Sequence, residues 1–329
     1  MLTKRQNMLE TIRGGNPDRF VNGHEALANV HRTPYSKQYP RPKMGGEPVK
    51  NGWGVTISFP AGAPGPFPIH DEEHIVLKDV EHWRDYVKAP EINYTEEDWA
   101  EAAAEAAAID RNEYFVTVMV APGVFEQCHY LMSMVGALTA FCEFPDEMHE
   151  LIDYITEFEL KYAEQICKYV KPDAILHHDD WGSLTNSFLS PAMFEEYIVP
   201  AFKKIYGYYK SHGVELIVHH SDSYAANLVP GMIEMGIDVW QGPASTNNIK
   251  ELIEKYGEKI TFMGEVDNTV VDIADWSDEI SYNQVKKVCE KNGMKYFIPC
   301  ILGGTCNKGV SESVLRAVDK YNMERFGIC

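Results

Sequence analysis

Residues 174–182 read Ala-Ile-Leu-His-His-Asp-Asp-Trp-Gly, and residues 216–223 read Leu-Ile-Val-His-His-Ser-Asp-Ser. Each is a short apolar run that ends abruptly in side chains able to move protons or hold a metal. Runs of this length, bounded by polar residues and set between helical stretches, read as buried strands. Outward from these two, Tyr114–Ala121, Val239–Trp240, Ile260–Met263 and Tyr296–Ile298 repeat the pattern, and Phe20-Val21-Asn22 reads as an earlier strand. Amphipathic helical stretches at Pro145–Tyr169 and Pro191–His212 separate them. Strands alternating with helices imply right-handed crossovers and a parallel sheet.

The position of the polar residues selects among parallel sheets. His178, Asp179, Asp180 and Trp181 follow one run, and His219, His220, Ser221 and Asp222 follow another. Gln241, the pair Glu265 and Asp267, and Cys300 follow three more, and His24 and Glu25 follow the earliest. In a (β/α)8 TIM barrel the loops at the strand C-termini build the site. A doubly wound sheet gathers its site at one switch point and usually carries a glycine-rich first loop, which this sequence lacks. The expectation is a (β/α)8 TIM barrel with an N-terminal extension, forming one domain over residues 1–329. Pro40–Pro68, rich in Gly and Pro, is a long irregular stretch inside that domain, the usual mark of a functional loop.

Composition narrows the partners. The chain has 329 residues, with 30 Lys+Arg against 49 Asp+Glu and a formal net charge of −19. Phosphate backbones and anionic lipid surfaces would repel it, so nucleic acid and membranes are excluded as expected partners. No apolar run approaches a membrane span, and Met1–Arg13 lacks the core of a signal peptide. The seven cysteines show no CxxC pair and no regular spacing, which favours a reducing, cytoplasmic setting over a disulfide framework.

Three clusters carry candidate chemistry. Alternate residues at a strand end share a face, so His220 and Asp222 converge while His219 turns outward. They could be two ligands of a metal, or a hydrogen-bonded imidazole beside a helix cap. Asp179 and Asp180 are candidates for a carboxylate pair with split protonation, one kept as a general acid, with capping as the structural alternative. Cys300 and Cys306 flank the last strand, each a candidate thiolate ligand or a small packed residue. Glu265 is a further rim acid, and Trp181, Tyr224 and Trp240 could wall an apolar pocket with Gln241 and Glu25. Phe125, His129 and Tyr130 read as helix packing.

The segment Asp179-Asp180-Trp181-Gly182, with Leu189-Ser190-Pro191 and a helix reaching Pro200, resembles the central motif of the uroporphyrinogen decarboxylase superfamily. His220-Ser221-Asp222-Ser223 leading into Leu228–Gly242, the start Arg13–Arg19, and Ile260–Asp267 fit the same pattern in the same order. The resemblance implies a (β/α)8 barrel, in agreement with the strand pattern. True decarboxylases of the superfamily carry Arg-Gln-Ala-Gly-Arg near the N-terminus for the substrate's carboxylates. Here Phe20–Leu27 stands in that place without an arginine and adds Glu25.

The chain thus resembles more closely the corrinoid-dependent methyltransferase branch. That likeness implies a methyl group moved between a small methylated substrate and a corrinoid carried by a partner protein, and it also implies a homodimer. Members of this branch bind zinc through His-x-Cys and a distant Cys. This chain keeps His220, has Asp222 in place of the first Cys, and offers Cys300 or Cys306 for the second. An Asp ligand suits oxygen chemistry better than thiol chemistry, hence a methoxy donor. The catalytic set expected is Asp179, Asp180, His220 and Glu265, with Glu25, Trp181, Tyr224 and Gln241 around the substrate. Two alternatives remain: decarboxylation of a smaller acid, and corrinoid binding without catalysis.

Overall fold

The computed structural model describes residues 1–328. Seven strands form one parallel sheet in sequential order: β1 Leu27–Val30, β2 Phe115–Val120, β3 Ala174–His178, β4 Leu216–His220, β5 Val239–Gln241, β6 Thr261–Val266 and β7 Phe297–Ile301. Every neighbouring pair is parallel. Between β2 and β7 at least one helix follows each strand, including Pro145–Tyr169 after β2, Val199–Ser211 after β3 and Asp278–Asn292 after β6.

The sheet curls. Leu27, Phe115, Ala174, Leu176, Leu216, Val218, Val239, Met263 and Ile298, drawn from all seven strands, meet in one interior cluster. The opposite faces pack under the helices, with Ile175, Ile217, Trp240, Phe262 and Phe297 in a second, larger core. Each fully buried aliphatic side chain contributes roughly 1.5–3 kcal/mol, so the two clusters hold the curl from both sides. The N-terminal helix Lys4–Ile12, closed by a Thr3–Gln6 capping box, buries Met8 in the interior cluster.

The expected eight strands become seven among the described residues, with pairing that runs from β1 to β7. Phe20–Asn22 is not a strand, although Val21 packs in the interior beside Ile298 and Cys300. β1 begins at Leu27, where Leu-Ala-Asn-Val is too short and mixed to stand out in the sequence. The 40–68 stretch is built around a small antiparallel sheet of Val49–Lys50, Thr56–Ser58 and Phe67–Pro68. No disulfide joins the six described cysteines, and no described helix is long and apolar enough to cross a membrane.

Candidate functional site

Strand alternation decides which side chains reach the mouth of the curl. Ala174 and Leu176 face the interior, so His178 and Asp180 continue that face; Leu216 and Val218 do the same for His220 and Asp222, and Val239 for Gln241. Register then sets them side by side. His178 pairs with His220, and His220 with Gln241, across three adjacent strands.

Ligand atoms of His178, Asp180 and His220 all lie within 4.8 Å of one another. The two imidazoles stack with centroids 4.4 Å apart, and His220 Nε2 is 3.9 Å from Asp180 Oδ1. Each ring is aimed by a second residue. Gln241 Nε2 donates to the carbonyls of Leu302 (2.9 Å) and Ile301 (3.3 Å), which turns its Oε1 toward His220 Nδ1 to accept that N–H. His178 Nδ1 donates to Glu126 Oε2 at 2.8 Å. Both hydrogen bonds leave Nε2 as the coordinating atom. Two oriented imidazoles and one carboxylate, with positions left open, are the donor set of a catalytic divalent metal, and the residues fit one. Without a thiolate they favour Fe²⁺, Mn²⁺ or Zn²⁺ in an oxygen- and nitrogen-rich setting.

The local charges are strongly coupled. Burial opposes protonation of His178, but Glu126, Asp180 and Asp222 together raise its pKa to about 10. Burial, then the charge on His178, lowers His220 to about 4. Burial, then the neighbouring Asp180, raises Asp222 to about 7. The Asp222 backbone N–H donates to Asp180 Oδ1 at 3.0 Å, so these two acids are held together. A metal at the triad would compete with the His178 proton, and binding would release it.

The triad opens into a cavity of about 1080 Å³ that also reaches Glu126, Asp222 and Gln241. Typical small-molecule pockets span roughly 300–1000 Å³, so this one is roomy for a small substrate. Its lining also takes Arg41, Ile57 and Phe67, among others, from the 40–68 stretch, together with Tyr35, Tyr39 and His70. The functional loop expected there does line the site. His129 and Tyr130, expected only to pack a helix, line it too.

Several expected site residues lie elsewhere. Asp179 faces outward and is fully buried; its carboxylate accepts the N–H groups of Phe125 (3.1 Å), Glu126 (2.7 Å) and the Trp181 indole (2.9 Å). It anchors the start of the helix Val124–Met132 that carries Glu126, so it positions the site without lining it. Trp181 stacks on His219 at 3.8 Å in the outer core, and Trp240 packs there against Phe262. Tyr224 is half-buried away from the cavity lining, its backbone N–H on the Ser183 carbonyl. Alternation sends Asp179, Trp181 and Trp240 to the helix side, whereas Tyr224 lies past the end of β4, in the loop before Ala226–Leu228.

Glu265 departs from alternation for a backbone reason. By period it should face inward beside Met263, but its φ of 66° rotates it outward to Lys291 and Asn292 on the packed helix. Glu25 accepts the Asn22 N–H at 2.9 Å and is absent from the lining, where His24 stands instead. Cys306 is exposed, its backbone N–H on Asp272. Cys300 is buried 3.9 Å from His24 Nδ1, burial raises its thiol to about 12, and its sulfur is not among the ligand atoms that His178, Asp180 and His220 bring together. His220, Asp222, Asp180 and Gln241 are where the sequence expects them. His178 belongs to the strand-end cluster that the sequence singles out but not to the expected catalytic or metal set, and Glu126 is not named there at all; the alternation that selects His220 and Asp222 also selects His178 and Asp180.

Comparison with known proteins supplies a frame for this geometry. The family model described as Uroporphyrinogen decarboxylase (URO-D) matches residues 49–299. No curated protein matches the sequence. Among solved structures, a methyltransferase from Methanosarcina mazei is similar over 98% of this chain and 99% of its own, at 14% identity and a TM-score of 0.65. At that identity the likeness is one of fold.

Proposed function

The chain belongs to the uroporphyrinogen decarboxylase family, and from that premise we propose that it is a methyltransferase, moving a methyl group between a small methoxy substrate and a corrinoid carried by a partner protein. The observation that carries this reading is the open His178–Asp180–His220 face at the base of a roomy cavity. The likeness in fold to a methyltransferase supports it. When bound, a metal would polarise the donor oxygen and a reduced corrinoid would supply the electron pair that takes the methyl group.

The chain's own residues do the rest. Gln241 and Glu126 hold the two imidazoles in one tautomer and one orientation, so the triad needs no rearrangement to accept an ion. The departing oxygen keeps the carbon–oxygen electron pair and needs a proton. Asp222 takes the donor role that the sequence assigns to Asp179 or Asp180, because it lines the cavity next to the triad and burial, then Asp180, raises its pKa to about 7. General-acid help of this kind supplies roughly 10²–10⁴-fold. Tyr35, Tyr130 and Phe188 give the cavity aromatic faces for an aryl ether.

Decarboxylation of uroporphyrinogen fits poorly. Arg41 is the one lysine or arginine among the described residues lining the cavity, whereas Glu126 and Asp180 would repel several substrate carboxylates. The test is substitution at the triad: His220→Ala should abolish carrier-dependent release of a phenol from a methoxyarene and leave thermal unfolding nearly unchanged, and His178→Ala should abolish it too, with a lower melting temperature because the buried Glu126 loses its partner. Full turnover in both variants would remove the triad from the reaction.

A further inference from the structure

The loop that leaves β7 meets the site through its backbone. Ile301, Leu302, Gly303 and Gly304 line the cavity, and the carbonyls of Ile301 and Leu302 accept Gln241 Nε2 at 3.3 and 2.9 Å. The turn has little slack beyond them. A Cβ at Gly303 would collide with Asp222 Oδ2, and one at Gly304 with the Pro64 carbonyl oxygen. Neither glycine has a left-handed backbone, so both stand there for room.

Asn268 grips this turn from the end of the neighbouring strand. β6 pairs Glu265 with Cys300 and Val266 with Ile301, which brings Asn268 level with the start of the loop after β7. Asp267 caps the short helix Asn268–Val271 by accepting the Thr269 N–H at 2.9 Å, and Ser245 donates to Asp267 Oδ2 at 2.7 Å. These bonds fix where Asn268 begins. Its Oδ1 then accepts the Leu302 N–H at 3.2 Å, and its Nδ2 donates to the Gly304 carbonyl at 2.9 Å. One side chain closes both ends of the turn.

The Leu302 N–H and the Ile301 carbonyl belong to one peptide unit. A trans peptide is planar, so the two groups point in opposite directions and a tilt of the plane moves both. Asn268 and Gln241 therefore hold the same plane from its two edges. The hydrogen bonds also run in one sense: His220 Nδ1–H to the Gln241 oxygen, Gln241 Nε2–H to the Ile301 oxygen, and Leu302 N–H to the Asn268 oxygen. Amide dipoles aligned in a chain strengthen one another, by about 10–30% per bond. Such a chain favours the proton on His220 Nδ1 and leaves Nε2 free to coordinate.

Resting on the reading of the triad as the working face of a methyltransferase, we infer that Asn268 is a positioning residue for His220. It holds the 301–302 peptide, that peptide aims Gln241, and Gln241 keeps the His220 proton on Nδ1. Asn268 does not line the cavity and makes no hydrogen bond to the triad, so its effect passes through the turn.

The test reads the His220 tautomer in the full, metal-free chain, by nitrogen NMR of histidine-labelled protein at pH 7, with the signal assigned by its loss in His220→Gln. The wild type should carry the proton on Nδ1. Asn268→Ala should shift population to the Nε2–H form, and Asn268→Asp should restore the wild-type pattern, because a carboxylate keeps the acceptor for the Leu302 N–H. A purely structural role would lower the melting midpoint of Asn268→Ala without moving the tautomer. In calorimetry with Zn²⁺ alone, Asn268→Ala should weaken binding about tenfold in the wild type and not at all in the Gln241→Leu background, since both changes act on one path. An Nε2–H wild type, a tautomer unmoved by Asn268→Ala, no rescue by Asn268→Asp, or losses that multiply in the double variant would overturn the inference. A tautomer set by Asn268 in a chain that transfers no methyl group leaves the inference standing and removes the proposed function. An unmoved tautomer beside full methyl transfer removes only the role of Asn268.

Discussion

At the scale of single residues, Gln241 is the least obvious participant and the most testable. Its amide is pinned by the Leu302 and Ile301 carbonyls, so its oxygen selects the tautomer of His220. Losing such an outer partner typically lowers metal affinity 10–100-fold. Gln241→Leu is therefore expected to weaken Zn²⁺ or Mn²⁺ binding by about that factor in a calorimetric titration, and to lower the unfolding midpoint because the buried carbonyls lose their donor. Cys300 gives the opposite expectation. It sits beside His24, outside the triad, with a thiol that burial keeps protonated. Cys300→Ser should retain the metal content of the wild type, whereas His178→Ala should lose it. Loss of metal in Cys300→Ser would restore the thiolate ligand set expected from the sequence.

His129 adds a residue-scale prediction about pH. Burial first, and then His70, lowers its folded pKa to about 4, against roughly 6.5 when unfolded. The unfolded chain therefore takes up a proton that the folded chain refuses. The penalty is absent above about pH 6.5 and grows until the pH reaches about 4. A shift of this size corresponds to at most about 3 kcal/mol. Urea unfolding between pH 7 and 4.5 should show wild-type stability falling more steeply than that of His129→Leu. Parallel curves would mean that His129 does not resist protonation in the folded state.

At the scale of elements, the strand period explains what the sequence could reveal. Alternation along β3 and β4 places His178, Asp180, His220 and Asp222 on one face and His177, Asp179, Trp181 and His219 on the other. For His220 and Asp222 the rule suffices to place both on the cavity side, whereas Asp179 and Asp180, neighbours in sequence, fall on opposite faces. Glu265 was beyond the rule, because a positive φ inside β6 turns it outward and nothing in Gly-Glu-Val announces that. Glu126 was hidden for another reason: it acts from a helix start that only Asp179 and the fold bring to β3. The parallel order and the polar strand ends were legible because each strand repeats them.

Asp179 then acts on the site at one remove. Its carboxylate holds the first turn of the helix Val124–Met132, and a Cβ at Gly123 would come within 2.5 Å of the Asp179 Cβ. Replacing a capping carboxylate costs about 0.5–2 kcal/mol. Asp179→Ala should lower stability by at least that much, because the Trp181 indole also loses its acceptor. Gly123→Ala should move the helix and, with it, Glu126. A thermal melt of Asp179→Ala matching the wild type would contradict the anchoring role.

At the scale of the whole molecule, a curled parallel sheet presents one face of its strand ends to a cavity that the 40–68 stretch also lines. The acidic triad attracts a cation, and Tyr35, Tyr130 and Phe188 in the same lining suit a ring. The net charge of −19 favours a partner that presents a basic surface around its corrinoid. Methyl transfer itself is the claim on which the rest depends. The most direct measurement mixes the metal-loaded protein with a reduced corrinoid carrier and a methoxyarene, and follows the cobalt absorption together with product. The expected result is a change in the cobalt spectrum matched mole for mole by the free phenol. No spectral change with methoxyaromatics, methylamines, methanol or methylthiols, in either direction of transfer, would contradict it.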